Sequence, residues 1–176
     1  ENILKNTKMS HSSYTYLDEY GVEQSITYGD TFIKAAEYSG VSPYHLAARA
    51  KQEVVNGVNT MSNSVSGTVS GLEGLYNFYN IGATDGAGAI TRGLQWASSG
   101  SSYQRPWNTP EKSIKGGAAY IAEKYVDKGQ FTGYLQKFNV NKATGSLYLH
   151  QYMSNLTGAC SQGYTNYTAY AKTGNL

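Results

Sequence analysis

Two glutamates have the surroundings that acid–base chemistry requires. The first, Glu53, lies in the stretch AARAKQEVVNG (residues 47–57), at the edge of an otherwise apolar face of a predicted helix. A carboxyl group in an apolar setting keeps its proton more readily, as a general acid must. The alternative is an ion pair with Arg49, one helical turn earlier, which would stabilise the helix by only about 0.3 kcal/mol. The helical pattern alone leaves both interpretations open.

Glu73 is the second candidate, since it is the only acidic residue between Glu53 and Asp85. It lies in SGLEGLYNFYN, where Gly71 and Gly74 allow the backbone to turn sharply and aim the carboxylate. The alternative is a solvated carboxylate in a loop. Two carboxyl groups, one in an apolar setting and one on a facing segment, are typical of enzymes that hydrolyse glycosidic bonds.

Other chemistries lack their characteristic residues. The three histidines (residues 11, 45 and 150) are scattered, and a single cysteine, Cys160, excludes an intrachain disulfide. This spacing does not predict a zinc site. The stretch GATDGAG (residues 82–88) has no phosphate-binding lysine and instead indicates a turn. We therefore expect neither a metal nor an organic cofactor.

The composition indicates a globular protein, and we expect neither nucleic-acid binding nor membrane insertion. Of 176 residues, 40% are hydrophobic and 15% are charged, the net charge is only +2, and no run of Lys or Arg occurs. No stretch approaches the roughly 18 apolar residues of a membrane span. The 17 tyrosines favour carbohydrate binding weakly, because tyrosine can stack on a sugar and hydrogen-bond to it.

Helices are predicted on both sides of an irregular segment. The Glu53 helix is expected to begin at Ser42–Pro43 and to end at Gly57. An earlier helix should begin near Gly29 or Asp30 and end at Gly40. Further helices are predicted within residues 89–100, 109–129 and 132–139, and one or two within 147–172. The buried face of the Glu53 helix is predicted to consist of Pro43, Leu46, Ala47, Ala50 and Val54, and that of the helix within 109–129 of Ile114, Ala118, Ile121 and Tyr125.

Residues 58–88 are rich in Gly, Ser and Asn and show no helical period, which predicts a small β or irregular lobe. A hairpin containing Val65, Val69 and Leu72 is expected there. Residues 1–28 are interpreted as an N-terminal extension with a short helix around residues 14–22. The predicted fold class is therefore mainly α (α+β), with residues 29–57 and 89–176 forming a helical lobe.

Three further stretches occur in a characteristic order and spacing, LAARAKQE (residues 46–53), YNFYNIGA (76–83) and QYMSN (151–155). Together they resemble the N-acetylglucosaminidase domains of glycoside hydrolase family 73, the bacterial cell-wall autolysins. The first resembles the helix that ends in the family's catalytic glutamate, the second its Asn-Leu-Phe-Gly-Ile-Lys-like motif, and the third its late Tyr-Ala-Thr-Asp element. The resemblance implies a lysozyme-like fold, in which helices surround a substrate cleft and a small β lobe forms the other wall.

The resemblance also implies roles for individual residues. Glu53 would be the proton donor, Glu73 the carboxylate of the lobe, and Tyr152 a cleft tyrosine that assists near the acetamido group of the sugar. This chain departs from the family after Glu53, where Val54-Val55-Asn56-Gly57 replaces Ser/Thr-Gly, and after Tyr152, where Met-Ser-Asn replaces Ala-Thr-Asp. The side chains expected to bind substrate are Asn77, Tyr79, Asn80 and Trp96, the last of which could equally belong to the core.

The implied activity is hydrolysis of the β-1,4 bond between N-acetylglucosamine and N-acetylmuramic acid, with N-acetylglucosamine at the new reducing end. A muramidase or a lytic transglycosylase on the same fold is an alternative, and so is a non-catalytic wall-binding module. The expected partner is the glycan strand of peptidoglycan, bound by a monomer at the cell wall. Residues 1–176 would be a single catalytic domain excised from a longer secreted protein.

Overall fold

The computed structural model describes residues 2–18, 20–145, 147–153 and 155–173. The chain divides into two compact units, residues 1–122 and 123–176. Helices dominate, and two small antiparallel sheets accompany them, which confirms the predicted mainly α fold with a small β lobe. The helices are α1 Tyr28–Ser39, α2 Pro43–Val54, α3 Ala89–Ser98, α4 Pro110–Lys124, α5 Gly133–Phe138 and α6 Leu156–Thr173. The strands are β1 Ser13–Leu17, β2 Glu23–Thr27, β3 Val55–Gly57 and β4 Thr60–Met61.

The prediction of a short helix around residues 14–22 is wrong, because this segment belongs to a β-hairpin. Strands β1 and β2 pair antiparallel, with Tyr14 opposite Ile26. The carboxylate of Asp18 accepts hydrogen bonds from two backbone N–H groups of the turn, each at 2.9 Å, and Gly21 adopts a φ of 75°. The side-chain hydrogen bonds of Asp and the positive φ of Gly stabilise such a turn. Helical periodicity does not reflect either property.

Helix α1 is capped two or three residues earlier than predicted. The hydroxyl of Thr27, rather than Gly29 or Asp30, forms the N-cap and accepts a hydrogen bond from the Asp30 N–H at 3.0 Å. Its end is confirmed, since Gly40 follows the helix with a φ of 72° and its N–H bonds to the Ala36 carbonyl.

Helix α2 ends at Val54 and not at Gly57, because residues 55–57 pair with β4 as strand β3. The predicted apolar face is confirmed for Leu46, Ala47, Ala50 and Val54, all of which are buried, whereas Pro43 is half-buried. The hairpin expected to contain Val65, Val69 and Leu72 therefore lies earlier in the chain, and Val65 belongs to a 3-10 turn, Asn63–Val65. A β segment thus begins two residues after Glu53.

The later helices occur where the sequence predicts them. The hydroxyl of Thr109 accepts a hydrogen bond from the Lys112 N–H at 3.1 Å at the start of α4. Ile114, Ala118 and Ile121 of this helix are fully buried, as predicted. Its last residue is Lys124, so the predicted fourth member of the stripe, Tyr125, lies beyond the helix. One helix, α6, occupies most of the region where one or two were expected.

Two adjacent glycines in α4 allow large aromatic residues to approach the helix closely. The indole of Trp107, which is fully buried, donates to the Tyr103 carbonyl at 2.8 Å directly against Gly116. A Cβ on Gly116 would lie 1.9 Å from that carbonyl oxygen, and one on Gly117 would lie 2.3 Å from the Tyr79 ring. Helical periodicity does not indicate this close packing, although glycine within a helix can be a signal for it.

Candidate active site

Glu53 is half-buried in the last turn of α2. Its carboxyl oxygen Oε2 accepts a hydrogen bond from Nδ2 of Asn80 at 3.3 Å, and its main-chain carbonyl accepts one from the same nitrogen at 3.0 Å. The amide of Asn80 therefore contacts both the carboxyl group and the main-chain carbonyl of Glu53.

Asn80 reaches Glu53 because the backbone of segment 76–83 is fixed from inside the first unit. Asn77, fully buried, donates through Nδ2 to the carbonyls of Ile81 (2.8 Å) and Gly93 (2.9 Å), and its Oδ1 accepts from the Ile81 N–H at 3.1 Å. Every polar atom of this amide side chain is used within the protein. Asn80 adopts a φ of 50°, a left-handed conformation that asparagine tolerates better than most residues.

Three neighbouring segments hold the start of the same motif. The N–H of Asn77 donates to the Ser64 carbonyl at 2.7 Å, and the N–H of Phe78 donates to the Ser113 hydroxyl of α4 at 3.1 Å. The N–H of Tyr76 donates to the Trp107 carbonyl at 3.0 Å. The motif YNFYNIGA is therefore a rigid support for Asn80.

Tyr79 and Trp96, both expected at a substrate groove, have the surroundings of packing residues. Tyr79 is 2% exposed. Trp96 is half-buried, with its ring edge-on to Trp107 and Tyr120 at centroid distances of 5.2 and 5.6 Å. The guanidinium carbon of Arg105 lies 4.1 Å from the centre of the Trp96 ring. Of the four residues expected to bind substrate, Asn80 and Trp96 retain accessible surface.

Glu73 lies on an exposed turn between two glycines with left-handed backbones, Gly71 (φ 77°) and Gly74 (φ 72°). Its Oε1 accepts a hydrogen bond from the Gly71 N–H at 3.0 Å. Hydrogen bonds from its own backbone N–H and from that of Gly71 lower the pKa of Glu73. The group is therefore suited to remain a carboxylate at the pH where a general acid must be protonated.

The carboxyl group of Glu73 is expected to titrate at lower pH in the folded protein than in the unfolded chain. Because the pKa is lowered on folding, the stabilisation is present above the unfolded-state pKa and is lost as the pH falls through the folded-state pKa. A side-chain NMR titration of the folded protein, with the urea-unfolded chain as control, measures this difference. Equal midpoints in the two states would contradict it.

Tyr152 belongs to the second unit, where it is half-buried. Its N–H donates to the Gln136 carbonyl at 3.4 Å, and its ring lies edge-on to that of Tyr125 at 6.3 Å. Residue 154 of the QYMSN motif lies outside the described residues.

Buried amide side chains position the segment that carries Tyr152. Gln130, 1% exposed, donates through Nε2 to the carbonyls of Leu135 (2.8 Å) and His150 (3.0 Å), and its Oε1 lies 2.9 Å from Nδ1 of His150. Gln136, fully buried, donates to the Gln130 carbonyl at 3.0 Å. Sequence reasoning missed both glutamines, because this residue type is usually exposed and nothing in the local pattern indicates burial.

Within the described part of the chain, no group of three or more His, Cys, Asp or Glu side chains is arranged to hold a metal ion. Over the same residues, no helix combines the length and the apolar character needed to cross a membrane.

Two proteins of known activity are similar to this chain in sequence. A β-N-acetylglucosaminidase of Bacillus subtilis (strain 168) is 30% identical over 140 residues, which are 80% of this chain and 14% of that protein. A bifunctional autolysin of Staphylococcus aureus is 31% identical over 117 residues, which are 63% of this chain and 9% of that protein. The chain therefore spans only a small part of the length of either relative. No family model matches the chain.

The fold is also similar to that of solved autolysins. A catalytic mutant of S. aureus autolysin E, in complex with the disaccharide NAG-NAM, superposes with a TM-score of 0.55 and 26% identity over 84% of this chain and 60% of that chain. A structure of the major bifunctional autolysin gives a TM-score of 0.50 and 29% identity over 85% of this chain and 57% of that chain. These similarities confirm the resemblance predicted from the sequence. In both sequence and fold, the chain is therefore similar to bacterial autolysins and a β-N-acetylglucosaminidase.

Proposed function

We propose that this protein is a peptidoglycan hydrolase, an endo-β-N-acetylglucosaminidase that cleaves the β-1,4 bond between N-acetylglucosamine and N-acetylmuramic acid. The new reducing end is N-acetylglucosamine. The observation that carries the proposal is the half-buried Glu53 at the end of α2, whose carboxyl group is held by Asn80 of the motif segment. The relatives named β-N-acetylglucosaminidase and autolysin support it.

Glu53 acts as the general acid. It donates its proton to the glycosidic oxygen while the bond to the leaving sugar breaks, and positive charge develops at the anomeric carbon. Its carboxyl group is half-buried at the end of an apolar helix face and contacts Asn80 of the motif segment.

Glu73 is the proposed base. Its lowered pKa keeps it negatively charged, so that it can activate a water molecule on the opposite face of the sugar. This route inverts the anomeric configuration and requires the two carboxyl groups to be about 6.5–9.5 Å apart in the complex. In the other route the acetamido oxygen of the substrate attacks and Tyr152 polarises it, which retains the configuration. The proposal for Tyr152 rests on the sequence motif.

The partner is the glycan strand of peptidoglycan, and the site of action is the cell wall outside the bacterium that secretes the protein. Trp96 is proposed to face the strand, since it retains accessible surface, and Asn80, which also does, is proposed to act through its contact with Glu53. Asn77 and Tyr79 are buried, and we propose that they act by supporting this part of the groove.

Product analysis tests the function directly. Purified peptidoglycan is digested, reduced with borohydride and analysed by mass spectrometry, and reduced N-acetylglucosamine ends are expected. Reduced muramic ends would indicate a muramidase, anhydro-muramic ends a lytic transglycosylase, and no new ends a wall-binding module. NMR of the first product separates the two routes, because an α anomer indicates inversion by water and a β anomer indicates attack by the acetamido group.

A further inference from the structure

Asn80 contacts Glu53 through one atom that can only donate. Its Nδ2 lies 3.0 Å from the main-chain oxygen of Glu53 and 3.3 Å from Oε2. An amide nitrogen carries two hydrogens, so it can serve both acceptors, and it has no lone pair to accept a proton in return. The main-chain contact fixes the amide at the helix end, and the second contact constrains the carboxyl group.

We propose that Asn80 is a positioning residue that selects which oxygen of Glu53 carries the acid proton. A protonated carboxyl group has one O–H oxygen and one oxygen that only accepts. Because Oε2 faces the N–H group of Asn80, Oε2 is the accepting oxygen and the proton resides on Oε1. The proton-bearing oxygen therefore has one position relative to α2. This inference rests on the proposed function, in which Glu53 is the general acid.

The amide is held in place before substrate binds. Its residue adopts a φ of 50°, and its carbonyl accepts a hydrogen bond from the Ala83 N–H at 3.1 Å. The next residue, Ile81, is bound at both its N–H and its carbonyl by the fully buried Asn77. Core packing thus holds Asn80 against Glu53, so that little further ordering of its side chain is needed when the reaction occurs.

The positive φ of Asn80 does not by itself explain why this residue has an amide side chain. Glycine would adopt the same left-handed conformation more easily, since it has no Cβ. The chain instead carries an amide there, and its hydrogen bonds to Glu53 give that amide a role.

Removing the amide would allow the carboxyl group of Glu53 to rotate and to carry its proton on either oxygen. Substrate would still bind, but fewer complexes would have the proton directed at the glycosidic oxygen. A loss of about 10- to 100-fold in kcat is expected, as for other small misplacements of a catalytic group. A residue that only lined the groove would instead raise KM.

The test compares Asn80→Gly with the unchanged protein on two substrates. Glycine preserves the left-handed backbone, and thermal unfolding verifies that the variant folds. Asn6→Gly is the matched control, because Asn6 is exposed and also has a positive φ (62°). The first substrate is soluble glycan strands prepared from peptidoglycan. The second is a dinitrophenyl glycoside of chitotriose, whose leaving group departs without a proton.

For Asn80→Gly we expect the loss in kcat on glycan strands, an unchanged KM, and nearly full activity on the dinitrophenyl glycoside. Equal losses on both substrates, or a raised KM with kcat unchanged, would overturn the positioning role. Glu53→Gln separates this result from a failure of the proposed function. If that variant still cleaved glycan strands, the general acid would be another group. If it were inactive while Asn80→Gly were fully active, only the present inference would fail.

Discussion

Replacing Glu53 by glutamine is expected to eliminate detectable cleavage of peptidoglycan while the protein stays folded. Glutamine has nearly the same size and can still accept the hydrogen bond from Asn80 through its side-chain oxygen, so the end of α2 is preserved. It cannot donate an acidic proton to the glycosidic oxygen. General acid catalysis contributes about 10²- to 10⁴-fold to such a reaction, so kcat should fall by at least about 100-fold. Release of reducing ends from purified peptidoglycan measures the effect.

Glu37→Gln is the matched control for this variant. It makes the same chemical change on a helix of the same unit, at the exposed Glu37 of α1, and activity should be unchanged. Thermal unfolding of both variants verifies that they remain folded. If Glu53→Gln retained activity close to that of the control, Glu53 would be only a carboxylate at the end of a helix.

Replacing Gly116 by alanine is expected to lower the free energy of unfolding by about 4 kcal/mol or more. On intrinsic preference alone the change should stabilise α4 by about 1 kcal/mol, because alanine is the better helix former. The added Cβ, however, would lie 1.9 Å from the Tyr103 carbonyl oxygen and 2.4 Å from Nε1 of Trp107. These two atoms form a partly buried hydrogen bond, so neither can move without disrupting it.

Urea unfolding followed by circular dichroism measures this loss, and Gly29→Ala is its control. Gly29 lies in the first turn of α1, where a new Cβ would find its nearest neighbour, the Thr27 hydroxyl, at 3.7 Å. That is an ordinary van der Waals distance, so the control should be neutral or slightly stabilising. A Gly116→Ala variant as stable as the control would show that the aromatic side chains can move away from α4 at little cost.

Much of the helical architecture could be predicted from local patterns. Helix α1, helix α4 and the apolar face of α2 follow from apolar residues at helical spacing, from residues such as Pro110 at the first turn, and from a stop such as Gly40. Glu53 was identifiable in the same way, since a carboxylate beside an apolar stripe stands out within a single helix. The irregular lobe was also visible as a loss of period.

Local patterns did not identify the hairpins. The pairing of Tyr14 with Ile26 and of Val55 with Met61 depends on how strands meet across a turn. Propensity therefore favoured a helix around residues 14–22 and extended α2 to Gly57, and both expectations were wrong.

By itself, the sequence determined which residue types the protein has for chemistry and which helix carries Glu53. Only the tertiary structure decided what surrounds them. Asn77 appeared to be a groove residue and is fully buried, whereas Asn80, three residues later, is directed at Glu53. The physical reason is that burial and side-chain hydrogen bonding depend on segments distant in the chain, such as Gly93 and the end of α2. Helical periodicity is a property of a few consecutive residues and does not predict contacts with distant segments.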